Sequence, residues 1–203
     1  VNSVDYGMLD DGIGYIKIKN FGTETASDVK TALEDFNRKK AGGVIVDLRY
    51  NPGGLLSSAI EICDLFLKRG AVIVSTRGRD ASSERVFKSE NDPLCTLPLI
   101  VLVNKGSASA SEIFSGAVRD NRRGILMGEK TFGKGSVQKT FSLDREVGVA
   151  ITVAKYYTPS GELIHRKGIA PDVAVVMPEL TREEQDGLRR IEKEKILETF
   201  VTK

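Results

Sequence analysis

Three serines alternate with alanine in one short segment, and their hydroxyl groups are the first candidates for covalent chemistry. Ser107, Ser109 and Ser111 lie in GSASASE, between an apolar run and a helical pattern. A serine at the start of a helix is usually only a cap. One helix needs only one cap, however, and small side chains let a substrate backbone approach closely. The unpaired N–H groups of a helix start can also stabilise a developing oxyanion.

A serine nucleophile needs a general base, and the sequence offers two candidates. The only histidine, His165, lies in GELIHRKGIAPD among basic residues, which favours a solvated surface position. Lys134 lies in TFGKGSVQ between two glycines, which allow tight backbone packing and an amine that points inward. A lysine base must lose its proton, so it requires burial or a cationic neighbour. An exposed turn lysine fits Gly-Lys-Gly equally well, so this segment alone does not decide.

Nucleotide binding is the competing interpretation of the segment around Lys134. Residues 128–135, GEKTFGKG, nearly match the phosphate-binding loop G-x-x-x-x-G-K-[ST]. Gly135 replaces the hydroxyl that would hold magnesium, and a strand pattern follows where a helix should begin. We therefore predict no nucleotide, and we expect no other cofactor and no metal ion.

Strands and helices alternate along the chain around these candidate residues. The apolar patterns predict strands at residues 13–19, 43–48, 71–76, 98–104, 125–127, 137–143 and 147–157. They predict helices at residues 27–40, in the segment around Cys63, and at residues 109–121.

This order of elements predicts an α/β fold. The runs GVIVDL and PLIVLVN are almost continuously apolar, which is typical of strands buried on both faces in a sheet that helices cover. Sites form in loops at the carboxyl ends of such strands. The segments 51–54 and 105–111, which hold the candidate glycines and serines, both lie there.

One domain is expected to span residues 1–203. Residues 77–93 are polar without a periodic pattern, so we predict an exposed excursion. The capping-box spacing of Thr181 and Glu184 predicts a carboxy-terminal helix within residues 180–203.

The two cysteines, Cys63 and Cys95, define no disulfide framework, and we predict no bridge between them.

Charge and hydropathy exclude several classes of partner. The net charge of +2 arises from 30 basic and 28 acidic residues that are spread along the chain. Nucleic-acid and membrane surfaces need concentrated basic patches, which are not visible here. No apolar run approaches the roughly 20 residues of a membrane-spanning helix, and the chain begins without a signal-peptide pattern.

Three segments of the chain resemble the tail-specific, or carboxy-terminal processing, serine peptidases. The family signature corresponds to SASASEIFSGAVRDNRRGILMGEKTFGKGSVQ. The family's DLR-x-N-x-GG segment corresponds to VIVDLRYNPGGLLSSAIEI, and its carboxy-terminal stretch to YYTPSGELIHRKGIAPDV. Together these segments cover nearly all of residues 10–176 in the family's order and spacing.

The resemblance assigns the catalytic roles. It implies Ser109 as nucleophile, Lys134 as general base and Gln138 as the residue that orients the amine. If Lys134 and Gln138 lie on one strand, their side chains point the same way. The implied fold is a crotonase/ClpP-like core of β-sheet covered by helices, with a smaller strand-rich subdomain.

The resemblance also implies supporting residues. The oxyanion donors would be the backbone N–H of Ala110 and that of Gly53 or Gly54, with no choice between the glycines. Asp120 matches an acidic position that is important in some members, and a charge on the helix surface is the equally good alternative.

A larger parent protein is expected from the same resemblance. Family members typically carry a PDZ domain, which captures chain termini by strand addition. No PDZ pattern is present here, so the chain is either an excised core or a member without that domain, and we interpret it as an excised core. The implied substrates are unfolded or tagged proteins with apolar carboxyl ends. The implied compartment is the periplasm, cell envelope or thylakoid lumen. The resemblance leaves undecided whether the chain forms a homo-oligomer. A catalytically idle peptide- or ligand-binding module and an acyl-CoA enzyme of crotonase-like fold are the alternatives.

Overall fold

The structure, a computed structural model, describes residues 2–79, 84–142 and 148–176. The helices in these ranges are α1 (Thr25–Arg38), α2 (Leu56–Asp64) and α3 (Ala110–Asp120). The strands are β1 (Val4–Met8), β2 (Ile13–Ile18), β3 (Gly43–Asp47), β4 (Val72–Gly78), β5 (Arg85–Lys88), β6 (Leu99–Val103), β7 (Ile125–Gly128), β8 (Ser136–Ser142), β9 (Gly148–Tyr157) and β10 (Val173–Ala174).

A six-stranded sheet in the order β1-β2-β3-β6-β7-β10 forms the centre of the molecule. All neighbouring pairs are parallel except β1 with β2. Parallel neighbours need crossovers, which α1 provides between β2 and β3 and α3 provides between β6 and β7. Because β3 and β6 are adjacent, the loops that follow them start side by side at the carboxyl edge of the sheet.

One face of this sheet forms the hydrophobic core together with the helices. Four side chains in register across β2, β3, β6 and β7 are fully buried on this face: Ile16, Val46, Val101 and Leu126. Phe66 and Phe114 from the helical layer pack edge to face, with ring centroids 5.6 Å apart.

The opposite face of the sheet is more open than predicted. Its corresponding row consists of half-buried or exposed side chains: Tyr15, Ile45, Ile100 and Ile125. The prediction of burial on both faces therefore fails for β6, whose opposite face is half-buried, whereas in β3 every residue except the half-buried Ile45 is buried. A continuous apolar run shows that both faces are apolar, but it does not show that both are covered.

A second sheet, antiparallel and four-stranded, has the order β5-β4-β9-β8. Residues 77–93, predicted as an exposed excursion, include the end of β4, which extends to Gly78, and β5, which pairs with β4. The side chains of β5 are mostly exposed, so the strand has no buried face that would give its sequence an alternating pattern.

The mixed α/β architecture is confirmed, and every predicted strand and helix within the described ranges appears with boundaries within two residues. Cys63 and Cys95 are buried free thiols, as predicted. The predicted carboxy-terminal helix lies outside the described residues. No helix in the described ranges is long and apolar enough to cross a membrane.

The Asp47 carboxylate, at the end of β3, fixes the start of the loop that leads to Gly53. Its side chain is 1% exposed and accepts hydrogen bonds from the Tyr15 hydroxyl (2.7 Å) and the Arg49 guanidinium (2.7 Å). The Lys17 ammonium is 3.1 Å away. Burial alone would raise the pKa of Asp47, but the hydrogen bonds from Arg49 and Tyr15 outweigh it and lower the pKa from 3.8 to about 2.

Replacing Asp47 by Asn should therefore destabilise the fold in a pH-dependent way. The lowered pKa corresponds to about 2 kcal/mol of unfolding free energy. This contribution is complete above the ordinary pKa of 3.8 and is lost as the pH falls through about 2. Urea denaturation of the wild type and Asp47→Asn should show a difference that shrinks between about pH 5 and pH 2.

Asp5→Asn is the matched control, because Asp5 pairs with Lys19 while both side chains are about half exposed. It should change the unfolding free energy by less than about 1 kcal/mol. Equal effects of the two substitutions, or a pH-independent effect of Asp47→Asn, would contradict the role given to Asp47.

Candidate active site

Asn51 connects the loop after β3 to the loop after β6. Its buried side chain donates from Nδ2 to the Ile18 carbonyl (2.8 Å) and accepts at Oδ1 from the Gly53 N–H (2.8 Å). Its backbone carbonyl accepts from the Ala108 N–H (2.9 Å) and from the Ser111 hydroxyl (3.0 Å). Both loops therefore have a fixed position relative to β2 and to each other.

The three candidate serines have different environments. Ser107 and Ser111 are fully buried, and their hydroxyls donate to backbone carbonyls, that of Ser107 to Leu48 (2.8 Å) and that of Ser111 to Asn51. Ser109 is partly exposed. Among the three, only Ser109 combines solvent access with a position at the N-terminal end of α3.

Ser109 has a strained backbone, with φ 56° and ψ −113°. Positive φ is costly for residues with a side chain and persists where the surrounding structure enforces it. The surroundings here include Gly53, at which a Cβ atom would lie 2.7 Å from the Ser109 Cβ and 2.9 Å from the Ala110 nitrogen. A side chain at position 53 would therefore displace the Ser109 turn.

The backbone N–H groups at this turn differ in their hydrogen bonding. The Gly53 N–H is occupied by Asn51 Oδ1. In the described part of the chain, the N–H groups of Gly54 and Ala110 have no hydrogen-bond partner. Gly54 and Ala110 are thus the two residues named by the resemblance that retain an available donor.

The Glu112 carboxylate joins the Ser109 turn to the loop that carries Lys134. The side chain is fully buried, and Oε2 accepts from the N–H groups of Ser109 (2.9 Å) and Lys134 (2.8 Å). Oε1 accepts from the Thr131 hydroxyl (2.6 Å) and from the Gly133 N–H (2.6 Å). Sequence reasoning missed this residue, although the spacing of Ser109 and Glu112 matches a capping box.

Lys134 itself is exposed. The flanking residues Gly133 and Gly135 are buried, as expected for tight packing, but the lysine side chain does not point inward. Among the described residues it forms no ion pair and no hydrogen bond with the Ser109 hydroxyl. Hydrogen bonds between catalytic groups are often loose without substrate. The structure thus holds the Lys134 backbone beside Ser109 without an assembled side-chain pair.

Gln138 lies on β8, whereas Lys134 precedes the first residue of that strand. The two residues are therefore not on one strand, and the ladder with β9 shifts register between Val137 and Gln138. Strand alternation therefore does not align the two side chains. Gln138 is exposed.

The segment that contains His165 packs against the lysine loop. The Arg166 N–H donates to the Gly133 carbonyl (2.8 Å). A Cβ atom at Gly135 would collide with the backbone nitrogen of His165. His165 is half-buried rather than solvated, which corrects the prediction of a surface position. Its buried Nδ1 has no hydrogen-bond partner among the described residues.

Asp120 lies at the opposite end of α3, about 16 Å along the helix from Ser109. Its carboxylate accepts from the Arg119 guanidinium (2.9 Å) and from the Ser160 N–H (2.9 Å). Burial raises its pKa, but hydrogen bonds from Thr158 and Ser160 outweigh this effect and lower it. Asp120 therefore anchors the turn after β9 to α3 and does not approach Ser109. No cluster of potential metal ligands occurs among the described residues.

Replacing Glu112 by Ala should destabilise the protein by about 3–5 kcal/mol, because four donors in the buried site lose one shared acceptor. Urea denaturation measures this loss. Hydrogen exchange should also accelerate at the amides of Ser109, Gly133 and Lys134 more than at the amides of β3.

Glu162→Ala is the matched control, since Glu162 forms a more exposed ion pair with Arg119. It should cost less than about 1 kcal/mol. Uniform acceleration of exchange across the chain in Glu112→Ala would indicate only general destabilisation and would contradict the local connection described above.

Known proteins resemble this chain in sequence and in fold. The carboxyl-terminal-processing protease of Synechocystis sp. is 45% identical over 176 residues, covering 84% of this chain and 41% of that protein. The carboxy-terminal processing protease CtpA of Bacillus subtilis is 41% identical over 182 residues, covering 90% and 39%. The chain thus spans about two fifths of the length of these relatives.

A solved structure of a carboxyl-terminal processing protease has a fold similar to that of this chain. The photosystem II D1 C-terminal processing protease superimposes with a TM-score of 0.79 at 31% identity, covering 94% of this chain and 52% of that one. Residues 12–175 match the sequence profile of peptidase family S41. This chain therefore belongs to peptidase family S41.

Proposed function

We propose that this chain is the catalytic core of a serine endopeptidase in which Ser109 is the nucleophile and Lys134 the general base. The observation that carries the proposal is the strained Ser109 turn, which Glu112 connects to the Lys134 backbone. Strain at a partly exposed serine at the start of a helix is typical of a functional residue. Family membership supports a peptidase of the serine type.

The reaction begins when the neutral Lys134 amine takes the proton of the Ser109 hydroxyl. Ser109 Oγ then forms a bond to the carbonyl carbon of the peptide. The negative charge on the carbonyl oxygen is stabilised by the Ala110 and Gly54 N–H groups, which have no other partner in the described part of the chain. Of the two glycines we propose Gly54 as the donor, since the Gly53 N–H already donates to Asn51 Oδ1.

Completion of the cycle returns both groups to their starting state. The Lys134 ammonium donates its proton to the leaving amine as the C–N bond breaks, which leaves an acyl ester on Ser109. A water molecule then attacks this ester. Lys134 accepts the proton of that water and passes it to Ser109 Oγ as the ester breaks.

Substrate binding is the step at which the Lys134 amine comes to act as the base for Ser109. In the described structure the lysine side chain is exposed to solvent. A peptide lying across the Ser109 turn excludes water, and the resulting desolvation favours the neutral amine. Gln138 then orients the amine, and Asp120 contributes only through the position of α3.

Substrates and the parent protein are assigned by analogy with the named relatives. We propose that the whole protein cleaves near the carboxyl ends of polypeptides, as the names of its relatives suggest. We further propose, from the resemblance described above, that these substrates are unfolded or tagged chains with apolar termini. A PDZ domain elsewhere on the parent chain delivers the substrate, and the compartment is extracytoplasmic or lumenal. We also propose that the sheet and helices correspond to a crotonase/ClpP-like core.

A peptide-binding module without catalysis is the second candidate function. The exposure of Lys134 favours it, because an assembled dyad would have a more buried amine. A binding module without catalysis does not explain why the backbone of Ser109 is strained. Rate measurements on point variants separate the two candidates.

Ser109→Ala and Lys134→Ala should each reduce cleavage of an unfolded protein by at least about 10³-fold, because the nucleophile and its base act as a unit. Product formation is followed by mass spectrometry, and circular dichroism should remain unchanged. Ser107→Ala is not a suitable control, since its buried hydroxyl supports the loop. Full activity of Ser109→Ala would overturn the assignment.

Gln138→Ala should reduce kcat by about 10-fold if the glutamine only orients the amine.

His165→Ala should retain activity within about 3-fold, since no acidic partner of His165 exists among the described residues. Both rates are compared on the same peptide at saturating concentration. Loss of all activity in His165→Ala, with the fold intact, would indicate a histidine base and exclude Lys134 from that role.

A further inference from the structure

Two basic side chains lie directly opposite each other on the second sheet. Arg77 of β4 and Lys155 of β9 are in register, and Lys155 is also in register with Ser136 at the start of β8. Residues in register share one face of a sheet. The neighbouring pair, Thr76 and Tyr156, is buried, so alternation puts Arg77 and Lys155 on the exposed face. Like charges in such a pair destabilise a sheet unless an anion compensates for them.

A cavity with a volume of about 480 Å³ opens beside this pair, and we call it the cationic cleft. The residues that line it include Arg77, Arg79, Thr152, Lys155 and Tyr157. The Arg77 guanidinium lies over the Tyr157 ring, with Cζ 4.6 Å from the ring centroid, which is a cation–π contact. Tyr157 thus holds the guanidinium at the wall of the cationic cleft.

Charges around the cationic cleft are mostly positive. The segments 72–88 and 136–157, which form the sheet and its connections, contain seven basic and four acidic residues. Every acid lies in a connection between strands: Asp80, Glu84, Asp144 and Glu146. Every charged residue within the strands is basic: Arg77, Arg85, Lys88, Lys139 and Lys155. In the described part of the chain, Arg79 and Lys155 form no ion pair.

The ion pair of Arg77 with Glu84 indicates which chemical group the cationic cleft accepts. Glu84 Oε1 lies 3.1 Å from Arg77 Nε, so a carboxylate already contacts one side of this guanidinium. Both side chains are about half exposed, and such a pair stabilises a fold only slightly. A carboxylate of another molecule can therefore replace Glu84 or bind beside it. The guanidinium offers a carboxylate two parallel hydrogen bonds, and Lys155 adds a second positive charge.

The cationic cleft lies within reach of a polypeptide bound at Ser109. Lys155 is in register with Ser136, which lies two residues after Lys134 in the chain. The N–H groups of Lys134 and Ser109 donate to the same oxygen of Glu112, so their nitrogens are within about 6 Å of each other. Adjacent strands are about 5 Å apart, and an extended chain advances about 3.3 Å per residue. An extended peptide of about six residues therefore spans the distance from Ser109 to Lys155.

We propose that the cationic cleft binds a carboxylate of the polypeptide whose backbone lies at Ser109. This carboxylate is either the terminal one or that of an acidic side chain within about six residues of the scissile bond. The inference rests on the proposed function, because it takes Ser109 as the point of attack. The bound anion compensates for the repulsion between Arg77 and Lys155. The cationic cleft thus favours acidic over basic segments of an unfolded chain.

Peptide binding to the Ser109→Ala variant tests the cationic cleft without requiring catalysis. The probe is one short peptide of Ala, Leu and Ser, with an uncharged coumarin label at its amino terminus. Four forms are compared by fluorescence anisotropy: the free acid, the amide, and two amides in which one Ser is replaced by Glu or by Lys. The free acid and the Glu form present the carboxylate from its two sources, and the plain amide presents none.

We expect Arg77→Gln and Lys155→Gln each to raise Kd by about 5-fold or more for at least one carboxylate form and by less than about 2-fold for the plain amide. The form that responds identifies the source of the carboxylate. Arg38→Gln is the matched control, because Arg38 forms an ion pair of the same 3.1 Å length with Asp35 on α1. It should leave Kd unchanged for every form.

Reversing one charge separates an electrostatic effect from a structural one. Lys155→Glu should raise Kd for the responding carboxylate form by about 10-fold or more and lower Kd for the Lys form. Circular dichroism verifies the fold of each variant. Equal changes for all four forms, or unchanged Kd for both carboxylate forms in the Arg77 and Lys155 variants, would overturn the proposal.

The outcome can be separated from that of the proposed function. If the chain with Ser109 intact cleaves no form of the peptide while the Arg77 and Lys155 variants lose affinity for a carboxylate form, the catalytic proposal fails and carboxylate binding in the cationic cleft stands. If cleavage depends on Ser109 but these variants keep their affinity for every form, the cleft proposal fails alone.

Discussion

The buried carboxylate of Glu112 is the interaction on which the arrangement of the site depends. Its two oxygens accept hydrogen bonds from Ser109, Thr131, Gly133 and Lys134, which belong to two separate segments of the chain. A buried carboxylate is tolerated only when such donors compensate for lost hydration. The need to satisfy Glu112 therefore forces the lysine loop to lie against the start of α3. Thr131 extends the connection, because its hydroxyl also accepts from the Ile169 N–H (2.7 Å).

A second constraint is the close approach of backbones around Ser109. The adjacent parallel strands β3 and β6 start both loops from one edge of the sheet, and Asn51 joins the loops by its side chain and its carbonyl. Gly53 fits against Ser109 only because it lacks a Cβ atom. Asp47, through its contacts with Tyr15, Arg49 and Lys17, stabilises the beginning of the loop that leads to Gly53. Together these contacts keep Ser109 in a conformation that an isolated peptide would avoid.

Patterns that follow directly from burial or backbone geometry were predictable from the sequence. The apolar period predicted α1 and α3. The sequence left the exposure of Lys134 open, because the flanking glycines allow the backbone to pack tightly and do not determine where the lysine side chain points. The condition that would have aligned Lys134 with Gln138 is not met, since alternation applies only inside a strand and β8 begins after Lys134. The role of Glu112 depends on partners about 20 residues away, and local patterns carry no information on such contacts.

The central claim is that the Ser109 turn is built for attack on a carbonyl group and that Lys134 joins it when substrate binds. A crystal structure of the chain with a peptide boronate, which forms a tetrahedral adduct with a nucleophilic serine, tests this most directly. We predict a bond from boron to Ser109 Oγ and one boronate oxygen within hydrogen-bond distance of the Ala110 and Gly54 N–H groups. We also predict that Lys134 Nζ lies within about 3–3.5 Å of Ser109 Oγ. An adduct on another residue, or Lys134 still exposed beside an occupied Ser109, would contradict it.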